Sequence, residues 1–308
     1  MKRFLSLCLL MLTLSACAAA PSTPTAAPIS DSTDTPIPAT ATAAPTVPPG
    51  LSIDQVKNMS IWLPTYQETV QLNQGSFQRD GGEDSLYVNL LEPFATGDLN
   101  GDGVDDLAVL VAENGGGSGT FVSLITFFNQ DGQPVQQPGV LIDDRPLIND
   151  LSIQDQKIIV KATIHSANDP ACCPAWDVTE TYAVDSSSAL ALWSLKSMTA
   201  DNRERSIQID TPHDGDTVSS ELHLSGSMPI APFENALTYI FYDENGNILL
   251  QGAFNVIAED PGGPGTFDQI LNPPAAPSGS RVRLTLAEEN MADGTTYLSC
   301  NSVDLYAK

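Results

Sequence analysis

The sequence predicts a mostly β protein, and three observations carry that prediction. Short apolar runs alternate with polar residues, as in Ile207 and Ile209, Leu222 and Leu224, and Val282, Leu284 and Leu286. Turn dipeptides separate the runs: Asp131-Gly132, Asn245-Gly246 and Asp293-Gly294. Helical signals are confined to a stretch from Ile53 to Asn58, with Ser52 placed to cap it. The expected organisation is a β-rich N-terminal domain over residues 51–198, followed by a C-terminal β-sandwich over residues 206–308.

The chain begins as an export signal. Lys2 and Arg3 precede an apolar run from Phe4 to Leu14 that is too short for a bilayer-spanning helix. The run ends in Leu14-Ser15-Ala16-Cys17, which resembles the lipobox of bacterial lipoproteins. That resemblance implies cleavage after residue 16 and lipidation of Cys17, with the protein anchored in the cell membrane on its extracytoplasmic face. Several acyl chains on one residue give stable anchoring, at about 0.8 kcal/mol per buried CH₂. Residues 17–50 are dominated by Ala, Pro, Thr and Ser, with no aromatic side chain. They cannot build a core and read as a disordered tether, extended at about 3.1 Å per residue where proline dominates.

Thirteen basic residues stand against 38 acidic ones, a formal charge of −25. Such a surface repels nucleic acid and anionic lipid, so no nucleic-acid partner is expected. Of the five cysteines, Cys8 lies in the signal segment expected to be removed and Cys17 is expected to be lipidated, leaving Cys172, Cys173 and Cys300 as candidate disulfide partners. Adjacent Cα atoms sit about 3.8 Å apart, below the usual disulfide range, so a Cys172–Cys173 bond is expected to be strained. Pairing with Cys300 requires the two domains to touch.

Within residues 51–198 the strands follow one another closely. Phe121 to Phe128 is a strand that turns at Asp131-Gly132. LSIQDQKIIVKATI, residues 151–164, reads as two strands about a tight turn at Asp155 and Gln156. Trp176 to Val184 and Ala189 to Trp193 form a further pair. Residues 198–205 lack apolar periodicity and mark the boundary. Beyond them the alternation restarts, and Tyr239 to Tyr242 leads into the turn Asp243-Glu244-Asn245-Gly246. In RVRLTLAE, Val282, Leu284 and Leu286 face one way and Arg281, Arg283 and Thr285 the other.

The segments SIQIDTPHDGDTVSSELHLSGS, FENALTYIFYDENGNILLQGAF, GTFDQIL and GSRVRLTLAEENMADGTTYLS together resemble a known family. It is the immunoglobulin-like domain first described in bacterial spore-germination and sporulation proteins, often called Gmad2. The resemblance covers about residues 206–308. It implies an Ig-like sandwich with an interaction role and brings no catalytic residues.

The densest chemistry lies in GDLNGDGVDDLAVL, residues 97–110. Counted from Asp98, hard-oxygen donors fall at alternate positions: Asp98, Asn100, Asp102, the Val104 carbonyl and Asp106, with Gly103 allowing the bend. These are the first nine positions of an EF-hand calcium loop. The twelfth is Val109 rather than a bidentate glutamate, and the following residues read as a strand, not a helix. The loop with the strand after it resembles a single FG-GAP repeat, the calcium-loop unit of integrin-type β-propellers. By that resemblance the same five residues would ligate calcium. Without the twelfth ligand, affinity is expected at roughly 10⁻⁵ to 10⁻³ M, with a role in ordering the turn.

No catalytic residue is assigned. His165 ends a strand near Asp169 and the cysteine pair, and His213 and His223 occupy turn and polar-face positions. The glycine run from Asn114 to Gly119 lacks the helix and Lys-Ser/Thr of a phosphate loop. The expected function is a non-enzymatic, membrane-anchored module that binds an unidentified protein or a cell-wall polymer. The alternative is an enzyme acting on wall or glycan, or its accessory subunit. Two facing carboxylates in a deep cleft would mark the enzyme; an exposed aromatic patch would mark the binder.

Overall fold

The computed structural model describes residues 49–308 except Asp293 and Thr295. The expected signal segment 1–16, the expected lipidation residue Cys17 and the expected tether as far as residue 48 lie outside the described residues. Strand accounts for 57% and helix for 3%, so the fold is mostly β. The short helix Ile53–Val56 stops two residues before the expected end, because Asn58 turns its side chain to cap Gln74 and a strand starts at Ser60. Its N-terminus is capped as expected, with the Ser52 N–H donating to Gln55 Oε1 at 2.8 Å.

A six-stranded antiparallel sheet is built on three long strands, Leu86–Gly97, Asp106–Asn114 and Phe121–Gln130. The last two are buried on both faces, which explains their continuous apolar sequence. Leu107, Val109 and Val111 point into one core, with Ile61, Leu63, Val70 and Leu72 of the N-terminal hairpin above them. Ala108, Leu110 and Ala112 point into the opposite core, against Ile158, Val160 and Ala162. This two-residue alternation assigns each side chain to a core.

A ten-stranded sheet runs through both halves of the chain. Its strands Leu147–Gln154, Lys157–Ile164, Trp176–Val184 and Leu190–Met198 come from the first half. Tyr297–Ala307, Arg281–Glu289, Ala236–Tyr242 and Ile248–Asn255 continue it in the second. The two groups meet through one bridge, Leu195 opposite Cys300. The segment expected as a plain boundary is itself a hairpin, since Glu204–Arg205 pairs back onto Ser197 and Met198.

In the second half, a four-stranded sheet holds Leu222–Met228 and Gly265–Leu271. Leu224 and Phe267 from that sheet share a core with Phe241, Leu284 and Leu305 of the long sheet, which makes a sandwich. The second face of Arg281–Glu289 is covered as well. Arg283 is 7% exposed and Thr285 4%. Much of the polar side of this strand is therefore covered: Arg283 lies over the Trp193 ring at 4.7 Å and donates to Asp304 Oδ1 at 3.0 Å.

Candidate functional site

The loop begins where Gly97 faces Asp106 across the hairpin, so residues 98–105 form the connection. Gly101 and Gly103 adopt φ of 81° and 82°, the left-handed region that glycine enters without steric cost. Those bends turn amides inward. Asp98 Oδ1 accepts the Gly101 N–H at 2.7 Å, and Oδ2 accepts that of Gly103 at 3.0 Å. Asn100 Oδ1 accepts from the Asp102 N–H at 2.9 Å, and Asp102 Oδ1 from the Val104 N–H at 2.8 Å. Asn100 Nδ2 also donates to Asp102 Oδ2 at 3.0 Å.

Asp106 differs from the other four. It is fully buried, and its two oxygens accept the Leu99 N–H at 2.9 Å and the Asn129 N–H at 2.8 Å. Burial pushes its carboxyl above the usual range against those two hydrogen bonds, with smaller pushes from Asp102 and Asp98. Asp106 is thus the post on which the loop closes. Among the described residues, no three carboxylate, histidine or cysteine side chains converge at metal-ligand spacing. The donor chemistry still fits a hard cation, because each amide-bonded carboxylate oxygen keeps a second lone pair and Asn100 and Asp102 are exposed.

Asn129 is a loop partner that sequence reading missed. Its side-chain amide donates to the Asp105 carbonyl at 3.2 Å and to the Pro49 carbonyl at 2.9 Å. The Leu51 N–H adds a bond to the Asp105 carbonyl at 3.3 Å. The first described residues are thereby tied to the loop. Asn129 lies 24 positions beyond Asp105 in the chain, so no local motif reports the pairing.

Cys172 and Cys173 are bonded to each other, and Cys300 is a buried thiol. Burial pushes that thiol up to about 12. The two halves do touch at Cys300, yet its partner is the Leu195 backbone rather than a cysteine. The cysteine loop is held by Asp169 Oδ2, which accepts the Ser166 and Ala175 N–H groups at 2.8 and 3.1 Å, and by Arg145 on the Ala171 carbonyl. His165 pairs through Nδ1 with Asp143 Oδ2 at 2.7 Å, a partner 22 residues away that spacing did not suggest. His223 Nε2 meets Asp268 Oδ1 at 2.9 Å on the exposed side of its strand, and His213 sits in a turn with Asp216.

Three buried carboxyls, Glu113, Glu180 and Glu288, also escaped the sequence reading. Glu113 accepts hydrogen bonds from Ser123 Oγ at 3.1 Å and from the Tyr66 N–H at 3.2 Å. Glu180 accepts from the Tyr182 hydroxyl at 2.9 Å, and desolvation pushes it up to about 7. On the surface, Trp62 is 48% exposed and Phe233 89%. No described helix is long and apolar enough to cross a membrane. Neither family models, nor curated proteins, nor solved structures gave a match to this chain.

Proposed function

We propose that the protein is an extracytoplasmic lipoprotein, anchored in the cell membrane through Cys17, that works as a non-enzymatic binding module. In this reading calcium is a structural ion held by Asp98, Asn100, Asp102 and the Val104 carbonyl; Asp106, expected as the fifth ligand, instead supports them from beneath, since both its oxygens accept backbone amides. The second half is a sandwich of the immunoglobulin-like germination type and serves interaction rather than chemistry. The partner is a protein or a cell-wall polymer.

The observation that carries the calcium part is the amide-lined Asp98 carboxylate, which gathers three hard-oxygen side chains into a single turn. A cation there offsets the repulsion between neighbouring carboxylates and stabilises the native state alone. The test is a melting curve in calcium and in excess chelator, for the wild type and Asp102→Ala. Calcium is expected to raise the wild-type midpoint and leave the variant unchanged. Equal midpoints for the wild type in both conditions would reduce the loop to a polar turn.

A further inference from the structure

We propose that the groove beside Trp62 binds an uncharged polysaccharide strand. This deepens the binding reading by naming a surface and a ligand class; it does not depend on calcium. Trp62 lies in the strand Ser60–Leu63, whose Ile61 and Leu63 are fully buried, so the alternation drives the indole outward. The groove it lines holds about 480 Å³, within the usual range for ligand sites.

The platform is preformed. Trp62 pairs with Thr69 on one edge of its strand. On the other edge the Gln136 carboxamide imitates a strand: the Trp62 N–H donates to its Oε1 at 2.8 Å and its Nε2 donates to the Trp62 carbonyl at 2.7 Å. The wall is equally fixed, since a Cβ on Gly139 would fall 2.8 Å from the Leu124 carbonyl oxygen and 2.9 Å from Pro64 Cγ. A rigid aromatic face costs little ordering entropy on binding.

The lining chemistry selects the ligand. In a chain of charge −25, no charged side chain lines this groove; besides Trp62 it presents Gln67, Gln136, Gln137 and prolines 64 and 138. A neutral lining on an acidic protein disfavours both polyanions, which the molecule repels, and cations, which find no counter-charge there. A pyranose ring offers an apolar C–H face to stack on indole and a rim of hydroxyls that donate and accept. The Gln67 carboxamide carries the matching donors and acceptors, and Gln137, whose Nε2 gives one hydrogen to the Val135 carbonyl at 2.9 Å, keeps its Oε1 and the second hydrogen for a ligand.

The test uses the full-length protein in detergent, titrated separately with hexamers of β-1,4-linked glucose and of β-1,4-linked N-acetylglucosamine. A proline hexamer is titrated as the rival ligand for an aromatic groove. Calorimetry is run in calcium and again in chelator, so that a failure of the loop reading does not mask this one. At least one sugar hexamer is expected to bind in both conditions, with affinity falling about tenfold or more in Trp62→Ala. Trp62→Phe should recover part of the loss, and the melting midpoints of both variants should match the wild type. Binding of neither sugar at millimolar concentration, preference for the proline hexamer, or undiminished sugar binding by Trp62→Ala would each overturn the proposal.

Discussion

Leu195 and Cys300 face each other across the one bridge that carries the long sheet from the first half of the chain into the second. Both side chains are buried in the same core, together with Ala287 and Tyr182. The seam therefore rests on packing, on the Ser197 hydroxyl donating to the Leu298 carbonyl at 2.6 Å and on the Arg205–Glu288 ion pair as well as on that bridge. Leu195→Ala is expected to cost about 2–5 kcal/mol. Urea unfolding followed by tryptophan fluorescence and by far-ultraviolet circular dichroism should show coincident transitions in the wild type. Separated transitions in the variant would mean that the seam is what couples the halves.

The cysteines should differ sharply in reactivity. The Cys300 thiol is buried and raised to about 12, so it carries almost no thiolate near neutrality. A maleimide reagent should leave the native protein unlabelled at this position and label it in urea. Two further thiols, from Cys172 and Cys173, should appear only after reduction, because the two are bonded to each other. Native labelling of Cys300 would show that the seam opens.

Glu180 gives a pH dependence of definite sign. Its carboxyl titrates near 7 when folded against 4.5 as the ordinary value, chiefly because burial penalises the charge. The folded state thus holds this proton more tightly than the unfolded one. Stability associated with the group is full below about pH 4.5, falls as pH rises towards 7, and levels off above that. The size is on the order of 3 kcal/mol. Glu180→Gln keeps an acceptor for the Tyr182 hydroxyl and removes the titration. The stability gap between variant and wild type should move in the variant's favour from pH 4.5 to pH 8, measured by urea unfolding. A gap that does not change with pH would mean Glu180 titrates as an exposed acid.

Asp102 and Asp106 should separate the metal role of the loop from its structural role. Asp106→Ala strands two buried N–H groups, those of Leu99 and Asn129, at about 1–3 kcal/mol each, with or without calcium. Asp102 is exposed, so Asp102→Ala should cost under about 1 kcal/mol in chelator. Melting curves of both variants in both conditions check this. A large calcium-independent loss in Asp102→Ala would assign that residue to the fold instead.

Much of the fold was legible in local pattern. The unbroken apolar run from Leu107 to Val111 announces a buried strand, and the turn at Asp131-Gly132 forms with φ of 54° and 83°. The loop residues from Asp98 to Asp106 were legible for the same reason, as their bonds to one another span no more than seven positions. What sequence could not report is contact across the chain. Asn129 reaches Pro49 over 80 positions, His165 reaches Asp143 over 22, and the Leu195–Cys300 bridge joins residues the pattern assigned to separate domains. Glu113 and Glu180 were not singled out among the 38 acids, because a buried carboxyl is recognisable only once its neighbours are in place. The alternation in Arg281–Glu289 placed Arg283 opposite Val282 and Leu284, but nothing local to its strand reveals that Trp193 covers that side.

The bonds from Asn129 to Pro49 and from Leu51 to Asp105 have a mechanical meaning. Any tension applied to the chain ahead of Pro49 enters the fold at these two bonds and is delivered to the tip of the hairpin that carries Asp98 to Asp106. The strands beneath that tip, Asp106–Asn114 and Phe121–Gln130, are the most deeply buried of the first half. Pulling therefore acts together on a few bonds at a loop and on Leu51, which is buried in one core with Leu107 and Val109. Loop and core thus resist the pull side by side at the point where the chain enters the fold.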